Sequence, residues 1–297
     1  MRHSGDALGQ KARRRGWRFI DLAELGINTW GSYGATLLRV VAYPLAVTAL
    51  LSLWDVLAGP RLGGWWAPLD AVVLQFGPIV IAGAALLRGV ARSHCRPWLS
   101  LIAPDLRLDW RRLAIGGGVE LLILGGQLAL VEALTGWRWS LSLPAALPLF
   151  ALAVLLIPLQ AASEEMLFRG YLTQALGRIS RSRVLIGVIV GLVFGLLHFN
   201  AHGPLTVPYF LVLSLTFSLV SLRDERLELA IGGHAAINLF GFAAANLIVV
   251  GPGIVGLDPA AVSFNWAAIV VLVVNGVLFY GLTRLLVRLF CERRTVA

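Results

Sequence analysis

The chain has 297 residues, of which 58% are hydrophobic and only 14% charged, whereas an ordinary soluble domain carries about 25% charge. That composition excludes a conventional soluble protein, because apolar stretches of bilayer-crossing length, about 17 to 25 residues each, recur along almost the whole chain. The net charge of +9 is accounted for by arginines in cytoplasmic loops and their attraction to anionic lipid headgroups. No interleaved aromatic and basic stripe points to nucleic acid.

Residues 1–34 hold Lys11, Arg13, Arg14, Arg15 and Arg18 without an early apolar core, so a basic cytoplasmic arm is expected and not a cleavable signal peptide. Eight spans are predicted, over residues 35–54, 66–87, 113–134, 143–176, 185–199, 207–222, 229–250 and 266–286. The fourth is too long for one perpendicular crossing. It is expected to tilt, to bend near Pro158 or to project beyond the membrane on the cytoplasmic side. Arginines concentrate in the arm, in the links after spans two, four and six, and in the tail, whereas the opposite loops hold only Arg61 and Arg138. Both termini are therefore expected in the cytoplasm. The fold class that follows is all-α, a polytopic protein of about eight transmembrane helices in the plasma (inner) membrane, partnered by the lipid bilayer.

Cys95 and Cys291 both fall in predicted cytoplasmic segments, where a disulfide is not expected. Trp65, Trp66, Trp98, Trp110, Trp137, Trp139 and Trp266 fall at span edges as an aromatic belt would. The link from Arg92 to Arg112 mixes arginines with Trp98, Leu101, Ile102 and Trp110, so part of it is expected to lie along the membrane surface. No internal repeat or matched pair of broken helices supports a transporter.

The costliest feature is S-E-E-M-L-F-R-G-Y at Ser163 to Tyr171, which follows the charge-free run 145–162. An ionised side chain at bilayer depth costs roughly 2.5 to 3.5 kcal/mol on insertion scales. Such a cost marks a working site or a structural charge cluster. Glu165 and Arg169 are four apart with the acid first, the favourable orientation for a helical ion pair, and Glu164 is turned about 100 degrees away. In the fifth span Gly191, Phe194, Gly195 and His198 share a stripe, its glycines making a small-xxx-small surface for a neighbouring helix. In the seventh, His234 and Asn238 share a face. Each alone reads equally as interhelical glue. Counted at 1.5 Å per residue from the arginine markers, the four polar positions Glu164, His198, His234 and Asn238 lie roughly 12 to 22 Å inward, depths consistent with one shared layer once helix tilt is allowed for.

E-E-x-x-x-R at Glu164, Glu165 and Arg169, F-x-x-x-H at Phe194 and His198, and H-x-x-x-N at His234 and Asn238 together resemble the three ordered motifs of the CAAX protease and bacteriocin-processing (Abi) family, which includes the type II CAAX prenyl proteases. The resemblance covers about residues 113–250, leaving two N-terminal spans and their link (35–112) and a last span with its basic tail (251–297) outside it. It implies an eight-helix fold with a cavity open to the cytoplasm, and peptide hydrolysis in a membrane-associated peptide or protein. By similarity, Glu164 with His198 polarises a water, His234 and Asn238 stabilise the oxyanion, and Glu165 and Arg169 hold the geometry, with Phe194 as a supporting residue.

Two histidines and a glutamate suit zinc, with Glu164, His198, His234 and His202 as the ligand candidates. No H-E-x-x-H is present, Asn238 is an uncommon zinc ligand, and His202 falls toward the outer end. A water activated by glutamate without an obligatory metal is the expectation. Competing classes are a non-catalytic scaffold or bacteriocin-immunity protein of the same fold, and a proton-coupled transporter. The substrate's identity and the oligomeric state are not written in the sequence.

Overall fold

In a computed structural model the structure describes residues 18–62, 66–135, 139–141, 147–199, 204–246, 248–250, 254–255 and 265–292. The apolar stretches form α1 (Trp30–Leu62), α2 (Trp66–Arg92), α3 (Trp110–Thr135), α4 (Leu147–Glu165), α5 (Thr173–Gly177), α6 (Arg183–Leu197), α7 (Thr206–Asp224), α8 (Glu228–Asn246) and α9 (Trp266–Val287). A π-helical stretch, Met166–Leu172, joins α4 to α5 in one continuous helical rod over Leu147–Gly177. Seven helices are long and apolar enough to cross a membrane, and α6 is a shorter apolar helix beside them. The protein is an all-α, integral multi-pass membrane protein.

Two details differ from the sequence reading. The seventh span stops as a helix at Asn246, and Ile248–Val250 is a strand (β2) pairing antiparallel with Trp139–Leu141 (β1) and Ile254–Val255 (β3). Its valines and isoleucines favour an extended chain as readily as an apolar helix. In the fourth span the described irregularity is the π-helical stretch.

Apolar side chains face outward, as lipid requires: Leu38, Leu45, Leu50 and Val56 on α1, and Val270, Val274 and Val277 on α9, are exposed. α4 packs between α2 and α8, α8 also packs on α3, and α6 pairs with α7. Glycines permit the closest approaches. A Cβ at Gly116 of α3 would stand 2.1 Å from the Leu229 carbonyl oxygen, and one at Gly195 of α6 would stand 2.8 Å from that of Val207. The small-xxx-small surface on the fifth span therefore meets α7, with Gly191 against Leu211 and Ser214.

One end of the bundle gathers the arginine-rich links. Arg226 pairs with Asp105 and Glu228, Arg112 with Asp109 and Asp224, Arg183 with Glu225, and Arg181 with Asp21. From Phe19 onward the expected arm is part of this packed end. Phe19 and Leu22 are buried with Leu86, Val90, Leu101 and Leu227 in one apolar cluster. Nor does the whole 92–112 link lie on the surface: Leu101, Ile102 and Ala103 are buried beneath the exposed Trp98 and Trp110. Arg96 reaches inward to bond the Leu22 carbonyl and Gln174 Oε1, and burial pulls its pKa down to about 10, leaving it a cation at neutral pH. Beside it His94 is 1% exposed, held between the Ile27 carbonyl at 2.7 Å and the Tyr171 hydroxyl at 2.9 Å. Trp65 and Trp137 of the expected aromatic belt lie outside the described residues, and Trp266 is exposed at the start of α9.

Candidate functional site

The polar residues meet where α4 faces α8. Because the two helices run antiparallel, residues four apart on each come opposite one another in order: Glu164 faces His234, and Gln160 faces Asn238. Glu164 Oε2 lies 3.5 Å from His234 Nε2. One turn away, Asn238 Nδ2 donates to Gln160 Oε1 at 2.8 Å.

Glu165 points to the other side of His234. Its Oε1 accepts from His234 Nδ1 at 2.7 Å and from Arg169 Nη1 at 2.9 Å. Because Oε1 already accepts from the guanidinium, Nδ1 of His234 carries a proton, and Nε2 is the nitrogen turned toward Glu164. Arg169 is buried, and among the described residues its Nε and Nη2 have no hydrogen-bond partner. Aromatic faces stand in for one: its guanidinium lies 4.6 Å from the Phe194 ring centre and 5.8 Å from that of Phe217. A desolvated cation over a ring gains about 2 kcal/mol. Phe217 also stacks on His234, with ring centres 5.6 Å apart.

His198 caps the end of α6. Its Nδ1 lies 2.8 Å from the Phe194 carbonyl oxygen, which can only accept, so Nδ1 bears a proton and Nε2 is the nitrogen left for a further partner. Phe194 and Phe210 hold the ring at centre distances of 4.3 and 4.2 Å. Among the described residues no direct contact joins Glu164 to His198. A water polarised by both needs no such contact, and the two side chains line the same cavity, while the antiparallel register sets the His234 ring across from Glu164.

Glu164, His198, His234, Asn238 and Gln160 line one cavity of about 670 Å³. The rest of its wall is largely apolar, with Val72, Phe76, Ile79, Leu149, Ile237 and Phe242. Glu165 and Arg169 are buried behind it. Gln160 is the residue that sequence reasoning missed. Its signal was a lone amide in an otherwise apolar run, four before Glu164, mirroring the His234 to Asn238 spacing. His202 lies outside the described residues. Among the described residues no group of three or more His, Cys, Asp or Glu side chains is placed to hold a metal ion.

The fold and the buried acid–histidine–amide set are those of a polytopic membrane protein with a polar site inside its helix bundle. Residues 144–240 match the family described as type II CAAX prenyl endopeptidase Rce1-like. The uncharacterized protein YyaK of Bacillus subtilis (strain 168) is 29% identical over 153 residues, a match covering 49% of this chain and 51% of that protein. No solved structure matches.

Proposed function

We propose that the protein is an intramembrane endopeptidase that hydrolyses a peptide bond in a membrane-associated peptide or protein with a water activated by Glu164. The observation that supports this best is the Glu164–His234 pair, 3.5 Å apart at the wall of a cavity that His198 also lines. Glu164 takes a proton from the water as its oxygen bonds the carbonyl carbon, and the carbonyl π pair moves onto oxygen. When the C–N bond breaks, Glu164 returns that proton to the leaving amine. His198 Nε2 accepts from the same water and turns its lone pair toward the substrate. His234, anchored by Glu165 and Arg169, holds Glu164 and shares its proton between steps, and Asn238 donates to the developing oxyanion.

No metal enters this scheme: Glu164 takes the water's proton itself, and His234 is held between two carboxylates. The apolar wall suits a client that arrives through the bilayer, and the prenylated peptides of the family's name are one such class. Comparative proteomics of membranes from cells carrying the wild type or Glu164→Ala tests the reading. A precursor that accumulates only with the variant is expected, and identical peptide termini in both would refute it.

A further inference from the structure

The contacts between α4 and α8 form a ladder of two rungs. One is the acid–imidazole rung, Glu164 with His234; the other is the amide–amide rung, Asn238 with Gln160. Residues four apart on a helix have Cβ atoms about 5 to 6 Å apart, so the rungs are neighbours on one wall. The first provides for proton transfer. The second has no assigned purpose beyond Asn238.

Gln160 is 4% exposed, yet it lines the cavity, and among the described residues its only hydrogen bond is the one it accepts from Asn238. Two amides joined by a single N–H···O bond leave one N–H unused on the donor and two on the acceptor. This holds whichever way either amide is turned. The rung therefore presents N–H groups from both residues, within a turn of Glu164, in surroundings where a buried unpaired donor is costly.

We infer that Gln160 is a second donor to the substrate's carbonyl oxygen, so that the oxyanion is held by a pair of amides and not by Asn238 alone. The inference rests on the peptidase reading. A peptide group laid along the ladder places its carbon opposite Glu164 and its oxygen against Gln160 and Asn238. Negative charge gathers on that oxygen as water adds, and both amides bind it more strongly in the transition state than in the ground state. Asn238 is bound on its far side by Gln160, which also fixes its rotamer.

Two substitutions separate donation from mere support. Gln160→Met keeps the reach and volume but removes both the acceptor and the donor. Gln160→Glu still accepts from Asn238 but cannot donate as a carboxylate. Full-length protein in detergent is assayed on a fluorescence-quenched peptide ending in a prenylated CAAX sequence, beside the wild type and Glu164→Gln, with thermal unfolding as the control for folding. Both Gln160 variants are expected to lose about a hundred- to thousandfold in kcat, with KM changed less than about threefold. Turnover by Gln160→Met within about threefold of wild type would make the residue a space filler and overturn the inference. Near-normal turnover by Gln160→Glu would reduce it to an orienting residue for Asn238 and overturn it as well. If Met at this site does not fold, Gln160→Glu, which keeps the interhelical bond, decides alone. Glu164→Gln cleaving as fast as wild type would overturn the peptidase reading and the inference with it. A dead Glu164→Gln beside an active Gln160→Met would sink the inference only.

Discussion

Glu165 and His234 are joined across the interface of α4 and α8 by a hydrogen bond of 2.7 Å between two buried side chains. Glu165 is also the ion-pair partner of the buried Arg169. Removing its charge therefore leaves a guanidinium uncompensated as well as an imidazole unanchored. Glu165→Gln should cost about 3 to 5 kcal/mol of stability, the usual penalty for stranding one member of a buried pair. The unfolding temperature in detergent should drop sharply, whereas Glu164→Gln should shift it far less. Equal shifts would mean that Arg169 does not depend on Glu165.

The packing of α3 on α8 makes a paired test. At Gly116 a methyl group would stand 2.1 Å from a backbone oxygen, which cannot step aside cheaply, while at Gly118, two residues on, nothing lies within 4 Å. Gly116→Ala should destabilise by about 1 to 3 kcal/mol or more. Gly118→Ala should be neutral or gain up to about 1 kcal/mol from helix propensity. Unfolding midpoints measured in the same detergent compare them.

His94 supplies a pH test of the arginine-rich end. Burial holds its pKa below the usual histidine value, against the opposing pull of the Ile27 carbonyl, with Arg96 lowering it further. The native state then refuses a proton that the unfolded chain accepts. Stability from this group is full above the unfolded value of about 6.5 and is lost as pH falls below it. His94→Gln, which can still hydrogen-bond but does not titrate, should flatten the fall in unfolding temperature on acidification. An unchanged slope would assign the acid sensitivity to other groups.

The spans were legible because each is a long apolar run bounded by arginines, and the three motifs were legible because Glu, His and Asn are rare inside such runs. The register was not. That His234 and not His198 faces Glu164 depends on how α4 slides along α8, which no spacing within either helix records. Gln160 stayed hidden because one amide in an apolar run carries no motif. Which part of the 92–112 link is buried was not legible, since arginines near a bilayer look alike whether they meet phosphates or, like Arg96, reach backward to a carbonyl. The short strands went unseen because Ile248–Val250 continues the hydropathy of α8 without a break.

The contacts among Arg18, Arg112, Arg178, Arg181, Arg183 and Arg226 and their acidic partners put these segments at one end of the bundle. By the positive-inside rule that end is expected to face the cytoplasm, which labelling tests. In a variant lacking Cys95 and Cys291, a cysteine at Ser180 should resist a membrane-impermeant thiol reagent on intact cells, and one at Gly63 should react. The reverse pattern would invert the topology.

The most direct measurement is turnover by purified protein with and without Glu164→Gln, before and after exhaustive chelation. An amide keeps the volume of Glu164 but takes no proton, so the variant should lose nearly all activity while unfolding close to the wild-type temperature, and the chelated wild type should remain active. Asn238→Ala should be milder, losing about a hundred- to thousandfold. Wild-type rates from Glu164→Gln, or activity lost on chelation and restored by stoichiometric zinc, would contradict a water activated by Glu164 alone.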